Sequence, residues 1–431
     1  MRVCVFGLWH LGSVISAGLA ASGHTVVGLD FNRENINNLQ HGQTSISEPG
    51  LDELIRENLQ KKTLSFTIDP VVALENAELL WIAFDTPVDE QDNADLGYIE
   101  KNFELLSGLI KDQTKIVISS QIPVGFTRHL IKKFRDLYPC KKVFFAYSPE
   151  NLRLGKSLKT FLEPDRIIIG TEPDEKEVFS PVFSSVSTRL EWMTIESAEM
   201  TKHAINAFLA TSICFANEIA GICESVGANA KEVERGLKTE ERIGPKAYLN
   251  PGNAFSGGTL ARDVRFLQKL GMNNDLPVYL INSIHESNNF QKTWIKRKCL
   301  ETLGNLNGKS ITILGLTYKP GTNTLRRSLS IELCIWLKDQ GAKVTAFDPA
   351  IRELPSELRP LIILSEDMGK SIENTECIIL ATEWPVFQQI SEGIISNMKG
   401  KIIIDPTGFI ETALINVQHK RYFAVGRSNN G

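Results

Sequence analysis

The sequence has no surplus of charge of one sign: 47 Lys and Arg stand against 51 Asp and Glu, a formal net charge of −4 at pH 7. Phosphate backbones are held by Lys and Arg massed on one face, so this balance argues against nucleic acid as a partner. It also lacks any apolar run near the roughly 20 residues that a bilayer crossing needs, and its N-terminal stretch has no signal-peptide cleavage region. No membrane partner and a cytoplasmic location are the expectation. Cysteine is scarce, with seven residues at 4, 140, 214, 223, 299, 334 and 377, an odd number that is scattered and never paired as CxxC. That excludes a disulfide framework and a zinc site, and the histidines show no metal-ligand spacing, so no metal is expected. Low-complexity tracts are absent too.

What remains is 431 residues with 42% hydrophobic content, enough for two or three domains. Residues 1 to 170 alternate helical stretches with short β-branched runs at 2–6, 25–29, 79–83, 115–119, 143–146 and 166–169. Near-continuous apolar strands separated by helices predict a parallel sheet buried on both faces. From about Ser197 a helical period takes over, with Met200, Ile205, Phe208, Leu209, Ile213, Phe215 and Ile219 on its apolar stripes, and helix dominates again from Arg262 to Leu303. The strand pattern resumes at 310–315, 343–347, 377–381 and 401–404. The fold class expected is α/β, with two Rossmann-like parallel-sheet domains joined by a central helical segment. The boundaries read as 1–196, 197–303 and 304–431. The helices are apolar on more than one face, which predicts a homodimer contact through Ser197 to Val226.

The first strand runs into Gly7-Leu8-Trp9-His10-Leu11-Gly12 and then a helix rich in small residues. Glycines there permit a tight turn and close helix-strand packing, and the helix N-terminus offers free N–H groups to a pyrophosphate. Trp9 departs from the pattern, standing where a glycine usually lets the backbone approach the phosphates. Asp30 supplies the missing weight: it ends the next strand about 20 residues on, where an acid binds the ribose hydroxyls of NAD and disfavours a 2′-phosphate. Arg33 reads as a solvated charge at a helix start. The cofactor expected is NAD.

Further segments occur in one order along nearly the whole chain: Glu48-Pro49-Gly50-Leu51, Asp85-Thr86-Pro87, Ser120-Gln121-Ile122-Pro123-Val124-Gly125-Phe126-Thr127, and Ser148-Pro149-Glu150-Asn151-Leu152-Arg153. They are followed by Lys202 and Asn206 four residues apart, by Phe255-Ser256-Gly257-Gly258-Thr259-Leu260-Ala261-Arg262-Asp263, by Lys319-Pro320-Gly321-Thr322 through Arg326-Arg327-Ser328, and by Thr382-Glu383-Trp384 and Asp405. Together they resemble the UDP-glucose/GDP-mannose dehydrogenase family. The resemblance implies an oxidoreductase acting on the sugar of a nucleotide sugar, with NAD bound by Gly7, Trp9, His10, Leu11, Gly12, Asp30, Thr86, Pro87 and Gln121. It implies catalysis by Lys202, Asn206, Asp263, Glu150 and Thr259. Substrate contacts would come from Asn151, Leu152, Arg153, Tyr248, Asn250, Phe255, Gly257, Tyr318, Lys319 and Arg326.

Members of that family typically oxidise a sugar primary alcohol twice. The first hydride transfer needs a proton acceptor and support for the developing alkoxide, which Lys202, Asn206 and Asp263 would provide. The second depends on a cysteine that adds to the aldehyde and leaves a hydrolysable thioester. Here the cysteine position is Thr259, and shifting the alignment by one places Leu260 there. Gln121 stands for the family's threonine and Leu154 for its second acid, two positions near the hydrolytic water. The reading that follows is an NAD-dependent oxidation of a UDP-, GDP- or dTDP-hexose without a thioester. The alternatives are a full oxidation to a uronate through a hydrated aldehyde, with Asp263 or Glu150 as base, and a non-catalytic nucleotide-sugar-binding subunit.

Overall fold

The computed structural model describes all residues other than 47, 88, 90–93, 151, 153–154, 416, 418–419 and 429–431. They form two compact units, residues 1–205 and 206–431.

The first unit is built on an eight-stranded sheet. Its strands are β1 (Arg2–Phe6), β2 (Thr25–Leu29), β3 (Leu64–Thr67), β4 (Leu79–Ile82), β5 (Lys115–Ile118), β6 (Phe144–Tyr147), β7 (Ile167–Thr171) and β8 (Leu190–Met193), in the order β3-β2-β1-β4-β5-β6-β7-β8. Alternate residues serve opposite faces: Val3 and Val5 of β1 and Leu79 and Trp81 of β4 enter one core, while Cys4, Phe6, Leu80 and Ile82 enter the other. This is why these strands read as continuous apolar runs and not as alternating ones. β1 to β6 are parallel, as expected, but β7 pairs antiparallel with β6, and β8 runs parallel to β7. The sheet is therefore mixed at one edge. The strand order reverses between β1 and β4, and ligands of such sheets bind at the carboxyl ends of strands at that reversal.

The second unit holds most of the Ile195–Val226 helix, the helices Ala230–Thr239, Thr259–Asn273, Tyr279–Lys292 and Trp294–Leu303, and then a six-stranded sheet. Its strands are β9 (Ser310–Leu314), β10 (Lys343–Phe347), β11 (Ile363–Leu364), β12 (Cys377–Leu380), β13 (Ile402–Ile404) and β14 (Arg421–Phe423), in the order β11-β10-β9-β12-β13-β14. All pairs are parallel. Between β8 and β9 no strand occurs among the described residues.

The Ile195–Val226 helix spans 32 residues and is long and apolar enough, by length and composition, to cross a bilayer. Residues 203–217 carry no Asp, Glu, Lys or Arg, which is why its mean hydropathy is high although no uninterrupted apolar run exists. Protein covers 44% of the apolar window, and the helix buries Glu199, Lys202 and Asn206, which it holds in hydrogen bonds.

Candidate active site

The turn after β1 is shaped by two glycines. Gly7 has φ +92°, and a Cβ on Gly12 would lie 1.7 Å from the Gly7 carbonyl oxygen. Only glycine lets the His10–Ala21 helix start so close to the strand. Trp9 caps this helix without a side-chain hydrogen bond and is 45% exposed. Asp30, at the end of β2, accepts from Leu8 N at 2.8 Å through one oxygen and from Asn32 N at 2.9 Å through the other. Arg33 is exposed at the start of the next helix. A glycine-cradled helix start with a carboxylate at the neighbouring strand end fits a dinucleotide, the phosphates on the helix N-terminus and the ribose on Asp30.

Elements around the turn are pinned by polar contacts. His10 Nε2 lies 3.2 Å from Glu48 Oε2, and Glu48 also accepts from Gly155 N and Ser157 N. Across the strand reversal, Leu11 N donates to Asp85 Oδ2 at 3.2 Å. Thr86 donates its hydroxyl to the Gln121 carbonyl at 2.7 Å, which joins the loops after β4 and β5, while the Pro87 carbonyl accepts from Asp95 N.

Beside these loops lies an ion pair. Lys202 Nζ donates to the Glu150 carbonyl at 2.7 Å and to Glu150 Oε1 at 3.1 Å, and the two side chains are only 8% and 11% exposed. Gln121 Nε2 donates to the same Oε1 at 2.8 Å, and Leu152 N to Oε2 at 2.8 Å. Burial alone would raise the Glu150 carboxyl, but the Lys202 charge and the bonds from Gln121, Lys202 and Leu152 outweigh it and hold the group below the usual carboxylate range. Gln121 therefore works as a ligand of Glu150. The pair lines a cavity of about 300 Å³ together with Leu11, Ile15, Trp81 and Phe161. Asn151, Arg153 and Leu154 lie outside the described residues.

In the second unit, Asn206 Nδ2 hydrogen-bonds to Asp263 Oδ2, both groups buried. Asp263 stands one turn into the Thr259–Asn273 helix, and Thr259 opens that helix after Gly258, which has φ +104°. Positions i and i+4 share a helix face, so Thr259 stands on the same face as Asp263. Thr259 is exposed, and Gly257 is half-buried. Arg326 is exposed, whereas its neighbour Arg327 approaches Gly258: a Cβ placed on that glycine would lie 3.8 Å from the guanidinium.

The glycine-rich loop before this helix is clamped by side-chain amides. Asn288 accepts from Phe255 N at 2.9 Å and donates to the Phe255 carbonyl at 2.8 Å, Gln291 donates to the Gly252 carbonyl, and Asn217 accepts from Gly252 N. A second cavity of about 330 Å³ is lined by Gly252, Ser256, Lys292, Trp294, Tyr318 and Ser330. Tyr318 lines it, while Lys319, Arg326, Tyr248 and Asn250 are not among its lining residues. Lys319 offers its carbonyl to the Thr322 hydroxyl, and Tyr248 and Asn250 are exposed.

The sequence places Glu48 and Asp85 in the family-like segments but assigns no role to them, nor to Glu199, Asn288, Gln291 and Lys292. Glu199, fully buried, accepts from Gly125 N at 2.6 Å and Thr127 N at 2.9 Å, and His203 Nε2 lies 2.9 Å from the Ile122 carbonyl. Glu199 and His203 flank Lys202 on the helix and hold the loop that carries Gln121. The available signal was a helix with polar residues at 199, 202, 203 and 206 inside an apolar pattern, which on one face means buried polar work.

Three family models match this chain: the NAD binding domain of the UDP-glucose/GDP-mannose dehydrogenase family over residues 1–187, its central domain over 196–290, and its UDP binding domain over 312–412. A UDP-glucose 6-dehydrogenase of Rhizobium meliloti (strain 1021) is 32% identical over 437 residues, covering 99% of this chain and all of the relative. A UDP-glucose dehydrogenase structure from Pyrobaculum islandicum superposes with a TM-score of 0.90 at 28% identity, covering 99% of this chain and 98% of that one. A UDP-D-ManNAc dehydrogenase structure from Pyrococcus horikoshii gives 0.88 at 25% identity, with both chains fully covered. The glycine-cradled helix start, Asp30 and the buried Lys202 thus stand in a chain that belongs to the UDP-glucose/GDP-mannose dehydrogenase family, an NAD-dependent nucleotide-sugar dehydrogenase acting on CH–OH groups.

Proposed function

We propose that this enzyme oxidises a sugar alcohol of a nucleotide sugar by one hydride, without a cysteine thioester. The observation that carries this reading is Thr259: one helical turn from the buried Asn206–Asp263 pair stands a hydroxyl and no thiol. A secondary hydroxyl is a poor nucleophile at neutral pH without an activating base. Burial pushes the thiols of Cys4, Cys214, Cys299, Cys334 and Cys377 upward, the opposite of what an activated nucleophile requires.

NAD, when bound, accepts the hydride. Lys202 and Asn206 donate hydrogen bonds to the substrate oxygen as it becomes an alkoxide, and Asp263 takes the hydroxyl proton. The alcohol would thereby lose a hydride to the cofactor and a proton to Asp263, leaving a carbonyl. Glu150, held as a carboxylate by three hydrogen-bond donors, is weakly basic and poorly suited to activating a water for a second oxidation.

Incubation with NAD and a panel of UDP-, GDP- and dTDP-sugars, followed by NADH absorbance and product mass, tests this. One NADH per carbonyl product is expected. Two per product, with a uronate formed, would overturn it in favour of the hydrated-aldehyde route.

Tyr318 and the second cavity are proposed to take the nucleotide, with Asn151, Leu152, Arg153, Tyr248, Asn250, Phe255, Gly257, Lys319 and Arg326 completing the substrate contacts. The segments 1–196, 197–303 and 304–431 are proposed to bind cofactor, dimerise and bind nucleotide. The exposed stripe of Phe208, Phe215 and Ile222, seven residues apart on one helix, supports a homodimer. Seven free cysteines support a cytoplasmic location.

A further inference from the structure

The helix that should receive the cofactor phosphates already has an anion on it. The His10–Ala21 helix has no acidic residue in its first turn and no side-chain cap from Trp9. Its Leu11 amide is instead taken at 3.2 Å by Asp85 Oδ2, a carboxylate delivered from the loop after β4. Free N–H groups at a helix start, with the partial positive charge of the helix dipole, are what a pyrophosphate uses. One amide hydrogen serves one strong acceptor, and two anions placed on it repel.

We infer that Asp85 is a built-in competitor for the dinucleotide phosphates and sets the affinity of this enzyme for its cofactor. The loop geometry explains how the carboxylate is held there. Thr86, the next residue, is fixed to the Gln121 carbonyl at 2.7 Å, so Asp85 is presented to the helix by a pinned backbone. In the free enzyme the carboxylate caps the helix. On cofactor binding it gives up Leu11 N, and its negative charge stays close to the phosphates. The other acid of the turn differs in role, since Asp30 is bound to Leu8 N and Asn32 N at the ribose end and leaves the helix amides alone.

The test is binding of NADH, ADP and adenosine to the full-length wild type, Asp85→Ser and Asp85→Asn, followed by fluorescence and calorimetry. The Ser variant removes the charge and frees the amide; the Asn variant keeps the shape and removes only the charge. NADH and ADP, which carry the pyrophosphate, are expected to bind both variants about tenfold more tightly, the size of a favourable helix-terminus charge effect. Adenosine, which carries no phosphate, is expected to bind unchanged. A gain in affinity cannot arise from misfolding. Unchanged or weaker NADH and ADP binding in the well-folded Asn variant would overturn the inference. So would an equal gain for adenosine, which would point to a general loosening of the pocket.

Discussion

Lys202 directs its ammonium at both the carbonyl and the carboxylate of Glu150, 2.7 Å from the one and 3.1 Å from the other, from a position 52 residues later in the chain. The pair is nearly closed to solvent, so each charge depends on its partner.

Glu150→Gln removes one half of this pair and leaves the lysine buried. A cost of about 3 kcal/mol in unfolding free energy at pH 7 is expected. The folded carboxyl titrates below its ordinary range, so the pair's stabilisation is complete above the unfolded-state value, near ~4.3, and is lost as pH falls through the folded value. Thermal melts across acid pH should therefore show the wild type losing its advantage over the variant. Parallel melting curves at every pH would contradict this.

Two carboxylates repeat one device in the two units, with different consequences. Asp30 accepts from Leu8 N, and Asp348 accepts from Leu316 N at 2.7 Å, Thr317 N at 3.0 Å and Trp384 Nε1 at 3.1 Å. Asp30→Ala should weaken NADH binding about 10- to 100-fold, the loss of hydrogen bonds to a charged group. Asp348→Ala, at a buried site, should lower the melting temperature while NADH affinity stays as in the wild type. Equal effects on NADH binding would refute the division of roles.

Thr259 separates the thiol-free reading from a hidden nucleophile. Thr259→Ala should change kcat for the first hydride transfer by less than about tenfold, whereas Asp263→Asn should lower it about 10²- to 10⁴-fold, as loss of a proton acceptor does. Pre-steady-state NADH formation measures both. A collapse of the Ala variant to the level of the Asn variant would show that the threonine hydroxyl takes part in the chemistry.

Side-chain amides clamp the glycine loop. Asn288 satisfies both backbone groups of Phe255 from a buried position. Asn288→Ala leaves them without partners, at about 2 kcal/mol, and should raise KM for the nucleotide sugar more than it lowers kcat. Initial-rate kinetics with a temperature melt would check this, and an unchanged KM would remove the loop from substrate binding.

Much of the architecture was legible along the chain, because strands buried on both faces write continuous apolar runs. The strands that escaped were β3, β8, β11 and β14, the four edges of the two sheets. β8 is half-solvated, β3 alternates buried with exposed residues, and β11 is two residues long. An edge covered on one side loses the signal that marks a central strand.

The sequence by itself determined the glycine turn, the acid at its ribose end, the order of the family segments and the absence of a cysteine at Thr259. These depend on residue type and spacing, which no packing can alter. Only the tertiary structure decided the antiparallel turn of β7, the binding of Gln121 to Glu150, the burial of Asp263 against Asn206 and the placing of Asp85 on the Leu11 amide. Each of these joins residues brought together by packing, from 29 to 74 positions apart in the three hydrogen bonds. A hydrogen bond over such a span is specified by the sheet and helices that carry its two ends, and local sequence carries no trace of it.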